Sequence, residues 1–252
     1  MSGRPVTLVT GASAGLGVEF ARLCAARGDE LVLVARRREP MEALAAQLGK
    51  AHVFAADLAA PGAAAKLIGD VEALGFEIET LINNAGFGLA GRFEALPLDR
   101  QTAMIDLNVR VLTELCRLVL PGMQARRRGF LLNVASTAAF QPGPNMAVYY
   151  ASKAYVLSLT EALHEEAKGT GVHVTALCPG PTATEFFDVA GAADGKLAKL
   201  AVQPKAVAEA GLVGVARNKA IVVPGRMNKI TSQAPRFLPR GVMRRIVAAI
   251  KG

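Results

Sequence analysis

Short β-branched runs alternate with longer helical stretches along almost the whole chain, and this constrains the fold more than any other feature. Strands are expected at 5–10, 30–35, 52–56, 80–83, 129–134, 172–178 and 220–223. Between them the pattern predicts helices at 15–27, 39–48, 63–74, 99–126 and 148–168, and one starting near Pro204, a residue suited to a first helical position. The strands are apolar almost throughout, as strands are when helices cover both faces of a sheet. Repeated strand–helix units of this kind predict an α/β chain with a doubly wound parallel sheet. No linker, internal repeat or low-complexity stretch divides it, so a single domain is expected.

Composition narrows what such a chain can do. Apolar residues make up 52%, enough for a large core. No apolar run approaches the ~18 residues of a membrane span. The segment from Met1 to Pro5 runs directly into the first strand, so no signal peptide is expected. Cys24, Cys116 and Cys178 sit among apolar neighbours without metal-like spacing, which reads as buried thiols in a reducing cytoplasm. The net charge is +8, but of 29 lysines and arginines seven lie from Arg226 onward, where there is no acid. That leaves 22 basic against 21 acidic groups in residues 1–225. The body is nearly neutral, which argues against a nucleic-acid-binding protein; residues 226–252 read as a basic extension of the same domain.

The first strand-to-helix turn reads Thr10, Gly11, Ala12, Ser13, Ala14, Gly15, Leu16, Gly17. Glycines there allow a tight turn and let backbone N–H groups approach a pyrophosphate at the positive end of a helix. Residues 1–225 are thus expected to form a dinucleotide-binding and catalytic domain. An acid often closes the second strand to bind the adenosine ribose, but here the strand ends Ala35, Arg36, Arg37, Arg38. Guanidinium groups match a 2′-phosphate, so NADP(H) is expected, on Arg36 above all; Arg37 and Arg38 also read as a solvated helix start. Asp57, before Leu58 at the end of the third strand, either accepts from the adenine amino group or caps the next helix. Asn83, Asn84, Ala85 and Gly86 end the fourth strand with small residues that suit either close ligand approach or a simple turn.

On a helix, Tyr149 and Lys153 lie one turn apart on one face. With the glycine loop, Asp57, the Asn83–Gly86 motif, Asn108 within Leu107-Asn108-Val109, Ser136 after Ala135, and Pro179-Gly180 with Thr184, the set resembles the compact single-domain branch of the short-chain dehydrogenase/reductase family. The resemblance covers about residues 4 to 225. It implies a Rossmann-type sheet of about seven strands, a nicotinamide cofactor, carbonyl/alcohol interconversion, and a homo-oligomer, dimer or tetramer, built on the fourth and fifth helices. It carries cofactor contacts onto Gly11, Ser13, Gly15, Leu16, Gly17, Arg36, Asp57, Leu58, Asn84, Ala85, Gly86, Tyr149, Lys153, Pro179, Gly180, Thr182 and Thr184, and no metal. Catalysis falls to Asn108, Ser136, Tyr149 and Lys153. The chain departs from the family's usual pattern at Ala135, where a first serine often precedes Ser136. It departs again at Ala14, where some NADP-using members carry a basic residue.

A free phenol has a pKa of about 10. The Lys153 cation is expected to lower that of Tyr149, the general acid/base, while Tyr150 points elsewhere. By resemblance Lys153 also holds the nicotinamide ribose. Ser136 either polarises the substrate carbonyl or caps a turn. Asn108 is unfavourable inside a helix; the resemblance implies that it helps hold a water in a proton relay from Lys153, and a satisfied buried amide is the alternative. His52, His164 and His173 read as structural. Candidate substrate walls are residues 87–89, 140–144 and 185–202, with Phe186 and Phe187; their composition favours a partly apolar small-molecule carbonyl. The tail from Pro235 is basic and amphipathic. It reads as a helix over the substrate mouth, a partner contact, or a peripheral attachment to anionic lipid. An NADPH-dependent ketone or aldehyde reductase is the first functional reading. A 3-oxoacyl-thioester reductase and a sensor that holds NADP(H) without turnover are the others.

Overall fold

The computed structural model describes residues 3–191 and 201–251. β1 (Arg4–Thr10) leads into α1 (Gly15–Ala26), β2 (Leu31–Ala35) into α2 (Arg38–Leu48), and β3 (Ala51–Ala55) into α3 (Ala63–Ala73). β4 (Phe76–Asn83) is followed by α4 (Leu98–Ile105), a π-helical turn at Asp106–Val111, and α5 (Leu112–Ala125). Then come β5 (Gly129–Val134), α6 (Ala147–Glu166), β6 (Val172–Leu177), α7 (Phe186–Ala190), α8 (Pro204–Ala216) and β7 (Ile221–Val222). Two further helices, α9 (Arg226–Phe237) and α10 (Arg240–Lys251), form the tail.

The seven strands are parallel, in the order β3-β2-β1-β4-β5-β6-β7. The chain winds outward from β1 to β3, returns past β1, and winds outward again from β4 to β7. The reversal between β1 and β4 leaves a crevice at their carboxyl ends, where ligands bind in sheets of this topology. Alternate residues of each strand supply opposite faces. Val32 and Val34 enter the core under α3, α5 and α6, while Leu31 and Leu33 enter the core under α1, α2 and α8. Each face is dry, which is why the strands are apolar on both sides.

Two expectations shift. β4 begins at Phe76 rather than Thr80, because Phe76 and Ile78 are buried while the alternating Glu77 and Glu79 pair with Arg126 and Arg128 at 2.7 and 2.9 Å. Two glutamates hide the strand's start in the sequence, and the arginines whose ion pairs permit it follow the end of α5. The helix expected at 99–126 is one run interrupted by the π-helical turn that carries Asn108. A buried polar chain then ties sheet to helix: Asn83 Nδ2 donates to Asn133 Oδ1 at 2.9 Å, and Asn133 Nδ2 donates to Thr160 Oγ1 at 3.0 Å. These bonds hold α6 against β4 and β5, and α6 bears Tyr149 and Lys153.

Candidate active site

The glycine loop is shaped by its neighbours. Gly11 has φ +68°, and a Cβ there would lie 2.8 Å from Asn84 Nδ2 and 2.9 Å from Ala85 Cα. The Thr10 hydroxyl accepts from the N–H groups of both Asn84 and Ala85 at 3.0 Å, and Asn84 Nδ2 donates to Thr10 O at 2.9 Å. The ends of β1 and β4 are thereby joined across the crevice. Gly15, at φ +55°, has no room for a Cβ beside Thr184 Cγ2 at 2.9 Å. Gly17 is buried against the Gly11 carbonyl, where a Cβ would meet the oxygen at 2.1 Å, so it packs the loop and does not face the crevice. Ala14 caps α1 without a side chain able to bond its first-turn N–H groups, which leaves them available to a phosphate.

A cleft of about 1060 Å³ opens above this loop. Of the expected cofactor residues it is lined by Gly11, Ser13, Gly15, Leu16, Arg36, Asp57, Leu58, Asn84, Ala85, Gly86, Pro179, Gly180, Thr182 and Thr184; Gly17 is the one left out. No acid closes β2. Arg36 is exposed at the cleft and makes no hydrogen bond or ion pair with a described residue. Arg37 does more than begin a helix: it donates to Ser13 O at 3.3 Å and pairs with Glu185 at 2.9 Å, spanning the loop. Asp57 lines the cleft, but it does not cap the next helix: its Oδ1 accepts from Ala59 N at 3.1 Å in a local turn, and α3 begins later, after Gly62. The cradle, the uncapped helix end and the unpaired guanidinium fit a dinucleotide carrying a phosphorylated ribose.

At the other end of the cleft stand Ser136, Tyr149 and Lys153. Ser136 Oγ accepts from Ala138 N at 3.1 Å, so it caps the turn after β5 while facing the cleft. Lys153 Nζ donates to Val134 O at 2.8 Å and sits 5.9 Å from the centre of the Tyr149 ring. Burial pushes the Tyr149 phenol up to about 12, opposed by its hydrogen bond with Ser136. Burial also pushes Lys153 down to about 8. The expected lowering of the phenol by Lys153 is therefore absent from the protein alone: burial dominates, and only the Ser136 hydrogen bond opposes it.

Tyr150 does not point elsewhere. It lines the same cleft, lies edge-on to Tyr149 with ring centroids 6.1 Å apart, and rests on Gly143, where a Cβ would meet its ring at 2.2 Å. Asn108 stays out of the cleft. Its Nδ2 donates to Phe87 O at 3.0 Å and Ser152 Oγ at 3.1 Å, and its Oδ1 accepts from Phe87 N at 3.1 Å. It is a satisfied buried amide that brackets the Phe87 backbone, with its Oδ1 packed against Gly86.

Of the expected substrate walls, Phe87 and Phe186 line the cleft, and Phe186 packs 5.2 Å from the Tyr149 ring. Part of the third wall, residues 192–200, lies outside the described residues. Two contributions come from the basic tail, where no motif singles out the individual residues. Met243 and Val247 of α10 are 6% and 5% exposed in a cluster with Met104, Ala138, Tyr149 and Tyr150, so the tail packs on the two tyrosines that line the cleft. Asn228 of α9 packs on Gly180, where a Cβ would lie 2.4 Å from its Nδ2. Among the described residues no cluster of metal-ligating side chains occurs, and no helix is long and apolar enough to cross a membrane.

The short chain dehydrogenase family matches residues 5–194. The chain is similar to the ketoacyl reductase HetN of Nostoc sp., at 33% identity over 243 residues, 94% of this chain and 84% of that protein. It is 38% identical over 189 residues to the NADP-dependent 3-hydroxy acid dehydrogenase YdfG of Salmonella typhi, 73% of this chain and 75% of that one. A short-chain dehydrogenase of Sphingobium yanoikuyae in complex with NADPH superposes with a TM-score of 0.82 at 32% identity, over 95% of both chains.

Proposed function

Because the chain belongs to the short-chain dehydrogenase family, whose members act between CH–OH and C=O with NAD(P), we propose that it is an NADPH-dependent reductase of a ketone or aldehyde with apolar substituents. The observation that carries this reading is the convergence of Ser136, Tyr149 and Lys153 at one end of a cleft whose other end is the glycine loop.

The nicotinamide cofactor supplies the hydride, and the chain's own residues manage the proton and the substrate. Tyr149, kept protonated by burial, donates to the carbonyl oxygen as negative charge develops there. Ser136 donates a second hydrogen bond to the same oxygen and polarises it. Lys153, anchored to Val134 O, holds a cation within reach of the phenol and the cofactor ribose. Gly11, Ser13, Gly15, Leu16 and the N-terminus of α1 would take the pyrophosphate. Arg36 would take the 2′-phosphate, Asp57 and Leu58 the adenine, and Asn84 to Gly86 with Pro179, Gly180, Thr182 and Thr184 the nicotinamide half. Phe87, Phe186 and Tyr150 line the place left for the substrate, and Met243 and Val247 pack in the same apolar cluster, which supports an apolar one.

A 3-oxoacyl thioester is the second substrate reading, favoured by the similarity to a ketoacyl reductase across most of the chain. The three buried, unbridged thiols, each pushed up to about 12 by burial, support a reducing compartment, the cytoplasm. A homo-oligomer is supported by exposed Leu118 on α5 and Tyr155 on α6.

NADPH oxidation across small ketones, aldehydes and 3-oxoacyl thioesters tests the reading. Tyr149→Phe is expected to lower kcat/KM by about a hundredfold or more while NADPH still binds. A variant as active as the parent overturns the mechanism, and NADPH binding without turnover of any carbonyl favours a sensor. Arg36→Ala should cost about tenfold to a hundredfold in kcat/KM with NADPH and little with NADH. Equal losses with the two cofactors would remove Arg36 from the 2′-phosphate site.

A further inference from the structure

α9 presents its polar side to the protein and its apolar side to solvent. Asn228 and Ser232 face inward, Ser232 being 2% exposed. Met227, Ile230 and Phe237 face outward at 69, 66 and 82% exposure. With Ala234 they fall within one third of the helix circumference, as the spacing 227, 230, 234, 237 requires. A helix that docked only on its own domain would be turned the other way. On α10 the apolar arc is wider than the protein covers. Met243 and Val247 are buried in the cluster with Tyr149 and Tyr150, while Val242 and Ile246 remain 43 and 40% exposed.

The same two helices carry the tail's cations. Arg226, Lys229, Arg236, Arg240, Arg244 and Arg245 are all exposed, none pairs with a described acid, and the tail contains no acid. A second copy meeting these helices across a two-fold axis would bring two acid-free basic tails together, which opposes that occupant. An anionic bilayer matches both features: lipid headgroups take the cations, and the acyl boundary takes the apolar row.

We propose that α9 and α10 form a docking surface for an anionic membrane, and that docking sets the apolar end of the cleft beside the bilayer. α10 carries both surfaces, with Met243 and Val247 over Tyr149 and Tyr150 and with Val242 and Ile246 outward. A substrate partitioned into lipid would then reach the cleft without crossing bulk water. The docking itself does not depend on which carbonyl is reduced, so its test is independent of turnover.

Flotation of the full chain with vesicles decides it. One set is phosphatidylcholine alone and the other carries about one-third phosphatidylserine. At low salt the chain is expected on the anionic vesicles and not on the neutral ones, with release at about 0.5 M salt as screening shortens. Arg244→Glu with Arg245→Glu should weaken binding by more than tenfold, at about fivefold per cation removed. Ile230→Ser with Phe237→Ser should weaken it as well, without moving the thermal midpoint, because both side chains are exposed. No binding to anionic vesicles at low salt overturns the proposal, as does equal binding to both vesicle types. It is overturned too if binding survives both variants, or if Ile230→Ser with Phe237→Ser converts a dimer to a monomer in the absence of lipid, which would assign the row to a second copy.

Discussion

Tyr149 and Lys153 lie one helical turn apart, and burial moves them in opposite directions. The phenol rises to about 12 and the ammonium falls to about 8, so each is pushed toward its neutral form. The spacing alone predicts the reverse for Tyr149, because a sequence shows the neighbouring charge but not the low-dielectric site around it. The consequence is measurable in the cofactor-free protein. Lys153 titrates at about 8 when folded and near 10.5 when not, so between these values the unfolded chain holds the extra proton. Stability from this group therefore rises with pH from about 8 to about 10.5. Tyr149 acts above that window, since its raised pKa stabilises the fold below about 10 and that contribution is lost toward 12. In urea unfolding from pH 7 to 10, Lys153→Met should gain most over the parent at pH 7, and the gain should shrink as pH rises through 8. A difference independent of pH would show that Lys153 keeps its ordinary pKa.

The run from α4 to α5 illustrates what an element can hide. Its apolar periodicity predicts one long helix, and the π-helical turn that interrupts it leaves no mark except an asparagine where asparagine is unfavourable. The reason for Asn108 lies outside the helix, in the N–H and C=O of Phe87 and the hydroxyl of Ser152. Asn108→Ala would leave those buried groups unpaired, at a cost of about 1 to 3 kcal/mol in urea unfolding, together with lower kcat. If the residue serves only a proton relay, kcat falls and stability does not. The substrate walls were legible in part for a similar reason. Phe87 and Phe186 stand in apolar runs near the motifs, but Met243 and Val247 come from some hundred residues beyond Tyr149 and Tyr150 in the chain.

For the molecule as a whole, the proposed homo-oligomer would use α5 and α6 and not the tail. α5 and α6 lie side by side, joined by the hydrogen bond between Thr113 Oγ1 and Tyr155 OH at 2.9 Å, with Leu118 and Tyr155 each 40% exposed. Leu118→Glu with Tyr155→Glu is expected to yield a monomer in sedimentation equilibrium; a parent that is already monomeric would remove the oligomer from the proposal. The sequence by itself determined the parallel sheet, the phosphate turn and the Tyr149–Lys153 pair, because strand alternation, glycine geometry and one-turn spacing are properties of neighbouring residues. Only the tertiary structure decided that Tyr150 shares the cleft, that Asn108 is a bracket, and that α9 turns its apolar side outward. Each of these depends on which distant surface a residue meets, and the periodicity that predicts a helix is the same whichever way the helix is turned.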